Sequence, residues 1–424
     1  MVYPIKKWLR WIREQPWTFK WFIYLMLLRP VIDRFWQAKD PILHLSLLDV
    51  TGVAVPMIVI FLLASRQLPP YQFKTTDKIF LAVAALVISN LIFFLTVRTT
   101  LLWFGVVLKT MLPFLLYFYL RHWLVSQRAL HGLLTTFVYS CVFPIMIFII
   151  ETLQKMDPAE LSRGVERYSG GYADVFNYSI YFIFLFLIVA YTALSNRIKD
   201  IQFIKDLQVI VTTVMMLFMI MRIHHLASMV VFLLLFAVWI LFRFYRGQLV
   251  STFIIVNFFI VFSVGIQLPS HVRPLVKNEI AVIKGEKKVE RALHGRIQRW
   301  QKMIDEFSQS EAVFQIMNPA FAKLHSYGYM IAGSHNDYLR MLFLGGFVGL
   351  FLYLVFLACI LIIWRQLHFA RKFLKTGALL ILALFSITSV PAMYAPMMYI
   401  VLVIFTYSIN RKDPVKNPVG TTVI

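Results

Sequence analysis

Ser334-His335-Asn336-Asp337-Tyr338-Leu339-Arg340 runs directly into Met341-Leu342-Phe343-Leu344-Gly345-Gly346-Phe347-Val348-Gly349-Leu350, and the apolar run continues to Trp364. A stretch this long and this apolar covers a bilayer core as one helix. The polar, ionisable cluster at its start therefore lies where a membrane helix meets water, with His335 at the boundary. A site for a lipid-linked substrate would have to be at such a boundary.

The rest of the 424-residue chain agrees with that reading: 60% of it is hydrophobic and only 15% charged, with a mean hydropathy of +0.74. Soluble domains lie far from these values. Apolar runs fall at about 21–37, 48–65, 79–97, 100–120, 131–151, 175–194, 206–221, 225–242, 249–267, 338–363, 376–390 and 392–409. They lack the period-two alternation of a membrane barrel. The expected fold is an all-α polytopic membrane protein of about twelve transmembrane helices, divided as 1–267 (basic segment and helices one to nine), 268–337 (a large loop), 338–410 (helices ten to twelve) and 411–424 (a tail).

The formal net charge of +22 is informative through its placement. If the first segment is cytoplasmic, 22 Lys and Arg fall in the tails and cytoplasmic connections. Seven fall in the short outer ones: Arg34, Lys39, Arg98, Lys155, Arg163, Arg167 and Arg222. The positive-inside bias then sets both termini inside and the long loop outside. Positive charge spread over short loops argues against nucleic-acid binding. Residues 1–20 place Lys6, Lys7, Arg10, Arg13 and Lys20 beside Trp8, Trp11 and Trp17, which predicts an interfacial segment with aromatic anchors and no removable signal peptide. Cys141 and Cys359 both lie in apolar runs, so neither a disulfide framework nor a cysteine metal site is expected.

Residues 268–336 of the long loop carry ten Lys and Arg against six Asp and Glu and contain a helical pattern. Val289, Leu293, Ile297, Trp300, Met303, Ile304 and Phe307 share one stripe at 100° per residue, and Arg296 lands in its middle. A guanidinium on an apolar stripe needs an anion, either an acid such as Glu290 or Asp305 or a substrate. Arg222, with His224 and His225, interrupts two apolar runs as a tight connection or broken helix. Arg163 and Arg167 lie in one outer loop, Arg98 at another turn, and Arg340 one turn beyond His335. Arginines suit phosphate because the planar fork donates two parallel hydrogen bonds.

Arg29 and Asp33, and Lys109 within its span, read as structural charges, with Asp33 pairing Arg29 at i, i+4. Gly345 and Gly349 have the spacing that lets helices approach closely. No Asp-x-Asp or His/Asp/Glu cluster stands out, so no metal or cofactor is expected.

These features resemble the O-antigen polymerase and ligase family of bacterial envelope glycosyltransferases. Its members carry a His-Asn pair, nine residues and then Gly-x-x-Gly at the outer end of a late helix; His335-Asn336 and Gly346-Phe347-Val348-Gly349 reproduce that spacing. Gly295-Arg296-Ile297-Gln298-Arg299-Trp300 is similar to the family's Gly-Arg followed by Trp, and Arg167-Tyr168-Ser169-Gly170 to its Arg-x-Ser-Gly. Met221-Arg222-Ile223-His224-His225 departs from the family's Ser-Arg or Thr-Arg, because the hydroxyl is missing. The likeness covers most of the chain.

The resemblance implies transfer of a glycan from undecaprenyl diphosphate to an acceptor hydroxyl at the outer face of the bacterial inner membrane. The acceptor is a second lipid-linked repeat in a polymerase, lipid A-core in a ligase, or a protein in a third class; a chain-length regulator is a partner of polymerases. His335-Asn336-Asp337-Tyr338-Leu339 and Arg29-Pro30-Val31-Ile32-Asp33 are closer to polymerases. His335 then serves as general base, and Arg222, Arg296, Arg167 and Arg340 bind the diphosphate with Arg163 and Arg98 in support. Asn336 caps the helix or binds sugar. A lipid-linked glycan flippase would also need a basic cavity, but with cations at both faces.

Overall fold

The computed structural model describes residues 2–39, 45–65, 67–97, 101–154, 160–162, 165–195, 199–286, 296–317, 319, 335–363, 367–389 and 394–410. Arg98, Arg163, Val289, Glu290, Leu293, Gly295 and the tail from 411 lie outside the described residues.

Each of the twelve apolar runs overlaps a helix. In chain order the helices begin with α1 (Ile5–Arg13), which precedes the first run, followed by α2 (Trp17–Arg34), α3 (Leu47–Ala64), α4 (Thr75–Val97), α5 (Leu101–Trp123), α6 (Gln127–Ser140), α7 (Val142–Gln154), α8 (Val175–Ser195), α9 (Lys199–Ile223), α10 (Leu226–Tyr245) and α11 (Leu249–Gly265). The large loop contributes α12 (Leu268–Ile283), α13 (Arg296–Ser308) and α14 (Ala312–Ile316), and α15 (Asp337–Ile363), α16 (Phe369–Thr388) and α17 (Ala395–Asn410) complete the bundle. Among the described residues the fold is otherwise broken only by a short antiparallel hairpin, β1 (Glu160–Ser162) with β2 (Val165–Arg167), in which Glu160 pairs Arg167.

Among the described residues, eight helical stretches are long and apolar enough to cross a membrane, with α6 and α7 counted as one. The remaining four runs lie in α11 and α17, which are apolar but short, and in α2 and α16, which carry several charges. The break between α6 and α7 follows from Pro144, three residues into the second helix. Its ring removes the donor that would bond Ser140 and crowds that carbonyl.

Two helices without a single Asp, Glu, Lys or Arg form the centre. The span of α8 is 89% buried, and every residue of α17 from Pro396 to Ile409 is buried. A helix that is apolar on all sides is accommodated either in the middle of a bundle or against lipid, and these two take the middle; α6, α9, α10 and α16 surround α8, and α2, α5, α6 and α15 lie against α17.

Three buried arginines are paired with acids, as the desolvation cost demands, whereas the fully buried Lys375 donates to the Ile360 carbonyl instead. Arg29 bonds Asp33 at 2.8 Å, and Asp33 also accepts from Tyr181 (2.7 Å) and Tyr394 (3.1 Å). Arg121 grips Asp77 with two bonds of 2.7 Å, and Arg243 grips Asp206 at 2.5 and 3.0 Å. Lys109 lies 3.8 Å from Asp49. Cys141 and Cys359 are free thiols.

Two expectations change. Trp8 and Trp11 are not lipid anchors but are buried between α1 and α6: Trp8 donates to Thr136 at 3.0 Å, and Gly132 leaves the space Trp11 fills. Nor do Gly345 and Gly349 make the close approach. Cβ atoms there would meet only ordinary contacts at 3.9–4.0 Å, whereas at Gly346 a Cβ would lie 2.3 Å from the Ile316 carbonyl oxygen. Gly346 takes φ 66° and ψ −169°, breaking α15 some 14 Å from its start. The loop segment α14 fills that break, and buried Asn90 of α4 fixes it by donating to the Met317 carbonyl at 3.1 Å.

Candidate functional site

His335 stands immediately before α15. Its φ is 48°, the left-handed region that costs a residue with a Cβ about 1–2 kcal/mol. The next residue holds the turn in place: Asn336 Oδ1 accepts from the Leu339 backbone N–H at 3.0 Å, so Asn336 caps α15. The imidazole is half-buried at the mouth of the bundle. Burial pushes its pKa below the ordinary value, Arg296 pushes the same way, the Asp174 carboxylate opposes, and Arg299 adds to the lowering. His335 is thus held toward the neutral form, which can accept a proton.

Arg296 and Arg299 arrive on the first turn of α13, which has no acidic residue. The apolar stripe explains the placement. Met303 and Phe307 are buried, and Phe307 packs on Phe343 at 4.9 Å and Phe347 at 5.6 Å, laying α13 along the first turns of α15. Ile304, expected in the stripe's contact, is exposed instead. Arg296 is half-buried and donates through Nη1 to the Thr388 carbonyl at the end of α16. The α13 N-terminus thus joins two guanidiniums to the positive end of a helix dipole, a setting suited to an anion.

Asp174 was not singled out from the sequence. Its position before α8 reads as a helix cap, and its Oδ1 does accept from the Phe176 backbone N–H at 3.0 Å. The signal that it also faces His335 comes only from tertiary structure.

Arg222 belongs to a second cluster. It donates to the Glu151 carbonyl at 3.1 Å and lies over the Tyr168 ring at 4.1 Å, while Tyr168 N–H bonds the Arg222 carbonyl at 3.2 Å. The Glu151 carboxylate is within electrostatic reach of both Arg222 and Arg34. The Arg34 guanidinium lies across Gly171, where φ is 70° and a Cβ would fall 2.1 Å from its Cζ. The connection from α9 to α10 is tight, as its sequence suggests: His224 is left-handed (φ 49°) and α10 begins at Leu226.

One segment bridges the clusters. Gly171 carries Arg34 and Asp174 faces His335. Phe176 meets His225 at 6.5 Å and Phe385 at 4.8 Å. Arg222, Arg296 and His335 therefore share one end of the bundle, in two adjoining groups.

Arg340 turns away from both. It bonds Asp337 at 3.0 Å with side chains 3% and 1% exposed, among Phe80, Phe114, Tyr353 and Met398. The i, i+3 acid on its own helix supplies the anion that a substrate was expected to provide. The backbone of Arg167 lies in β2 beside this end, while Arg98 and Arg163 lie outside the described residues. Among the described residues, no group of three or more His, Cys, Asp or Glu side chains is placed to hold a metal ion. No family model matches the chain, and no curated protein matches it.

Proposed function

We propose that the protein transfers a glycan from a polyprenyl diphosphate, of the undecaprenyl type, to an acceptor hydroxyl at the His335 end of the bundle. The observation that carries this reading is a half-buried imidazole kept toward its neutral form beside Arg296, on a first helical turn that has no carboxylate.

The chemistry follows from those groups. The acceptor oxygen attacks the anomeric carbon of the donor sugar, and its proton passes to the free nitrogen of His335. The bond from that carbon to the phosphate oxygen breaks, and the electron pair leaves with the diphosphate. Arg296 meets the growing negative charge, and the α13 N-terminus adds its dipole. Asp174 steadies the imidazolium that forms. Arg222 lies in the neighbouring part of the same end, where the rest of the diphosphate or its lipid would lie, and the backbone of Arg167 runs in the adjoining hairpin. Arg340, already bound to Asp337, takes no part.

The proposed setting is the bacterial plasma membrane, with the His335 end outside, both termini in the cytoplasm and twelve spans. The preferred acceptor is a second lipid-linked repeat, making the protein an O-antigen-type polymerase. The test incubates purified protein with undecaprenyl-diphosphate-linked repeats, with and without lipid A-core. Longer lipid-diphosphate chains support the polymerase, core-linked product the ligase, and unchanged donor in both refutes the transferase reading.

A further inference from the structure

At the opposite end of the bundle lies a cavity of about 540 Å³, within the size range of small-ligand sites. Three cations from three separate elements line it: Lys7 of α1, Arg128 of α6 and Arg371 of α16. His131, His368 and the hydroxyl of Tyr191 join them, and no Asp or Glu is among the described lining residues. A second recess shares Lys7 and Arg128 and adds Lys6 and Arg10; its one acid, Glu14, is bound to Arg128.

The helices sharpen the imbalance. Both α6 and α16 begin at this cavity, and neither has an acidic residue in its first turn. Each instead puts a cation there, Arg128 in one and Arg371 with Lys372 in the other. A cation at a helix N-terminus opposes the dipole and destabilises the arrangement unless an anion comes between them. Arg371 is held in place from within the protein: it donates to Gln127 at 2.8 Å and lies over the Tyr407 ring at 5.6 Å. Its position is therefore built into the fold and not set by topology alone. The amphipathic α1 forms one wall, fixed by Trp8 on Thr136 and by the Tyr3 N–H on Thr135 at 2.9 Å.

We infer that this cavity is a binding site for a phosphate-bearing anion, held between Lys7, Arg128 and Arg371 at the meeting of two helix N-termini. The phosphate comes either from an anionic lipid headgroup entering beneath α1 or from a soluble phosphate compound. The site is independent of the proposed transferase reaction, which takes place at the other end.

The experiment uses the full chain in nanodiscs of phosphatidylcholine, with inorganic phosphate titrated against chloride at equal ionic strength and the melting temperature recorded. In parallel, protein from discs containing phosphatidylglycerol is examined by native mass spectrometry for retained lipid. A saturable rise in melting temperature assigns a soluble phosphate, and retained phosphatidylglycerol without that rise assigns a headgroup; either supports the site. Arg371→Gln should weaken the effect about tenfold, the loss of one charge-assisted hydrogen bond, and Arg371→Lys should restore part of it. Lys7→Gln, at an exposed position, should weaken it in the same direction. Absence of both effects in the unaltered protein, or binding unchanged in Lys7→Gln and Arg371→Gln, overturns the proposal.

Discussion

Replacing Gly346 by Ala tests the most unusual packing in the fold. The backbone there has φ 66° and ψ −169°, a region closed to residues with a Cβ, and holding one in it costs about 1–3 kcal/mol. The added methyl would also lie 2.3 Å from the Ile316 carbonyl oxygen and 2.7 Å from that of Gln315. Both are backbone atoms, so α14 must shift, at a further cost of about 1–3 kcal/mol. The total is on the order of 2–6 kcal/mol. Gly345→Ala is the control: its Cβ would touch Leu86 and Val87 at 4.0 Å, and it gains helix propensity of roughly 0.5–1 kcal/mol. Identical chemistry one residue apart should thus act with opposite sign. Unfolding by SDS titration reads the difference, and hydrogen exchange across residues 312–317 reports whether α14 detaches. Equal stability of the two variants would refute the account of the break in α15.

Further outcomes follow from other contacts. Asp77→Ala strands the fully buried Arg121 guanidinium and should cost about 3–5 kcal/mol, whereas Glu14→Ala removes a pair whose side chains are 60% and 44% exposed and should change stability by no more than about 1 kcal/mol; thermal melts of both variants decide. A general base works only when neutral, so the transfer rate should fall as pH drops through the His335 pKa, which lies below the ordinary imidazole value. Removing a neighbouring cation with Arg299→Gln should move that limb to higher pH, and Asp174→Asn should move it lower; limbs that stay fixed in both variants would remove His335 as the titrating group. Asn336→Ala deletes the α15 cap and should cost about 1 kcal/mol of stability.

Much of the helical framework was legible because membrane helices announce themselves by length and apolarity, and those constraints are local. The centre of the bundle was less so. Absence of charge does not mark α8 and α17 as central, because α11 is equally uncharged and yet has only Thr252 and Ile255 buried. Trp8 and Trp11 show the limit of reading aromatics near a basic segment as lipid anchors, since only a tertiary partner, the groove at Gly132, makes them core residues. At the candidate site, His335 and Arg296 stood out because an ionisable group at an apolar boundary is costly wherever it falls. Asp174 did not, because capping accounts for it locally. Arg340 was misplaced for the reverse reason: Asp337, three residues before it, satisfies it on the same helix, a pairing that spacing alone already permitted.

The most direct measurement compares release of polyprenyl diphosphate by the unaltered protein and by His335→Ala, reconstituted in the same lipid with a lipid-diphosphate glycan donor and acceptor. The account predicts a fall on the order of a hundred- to ten-thousand-fold, the worth of a general base, with the amount of folded protein unchanged. Release at the full rate by His335→Ala would contradict it.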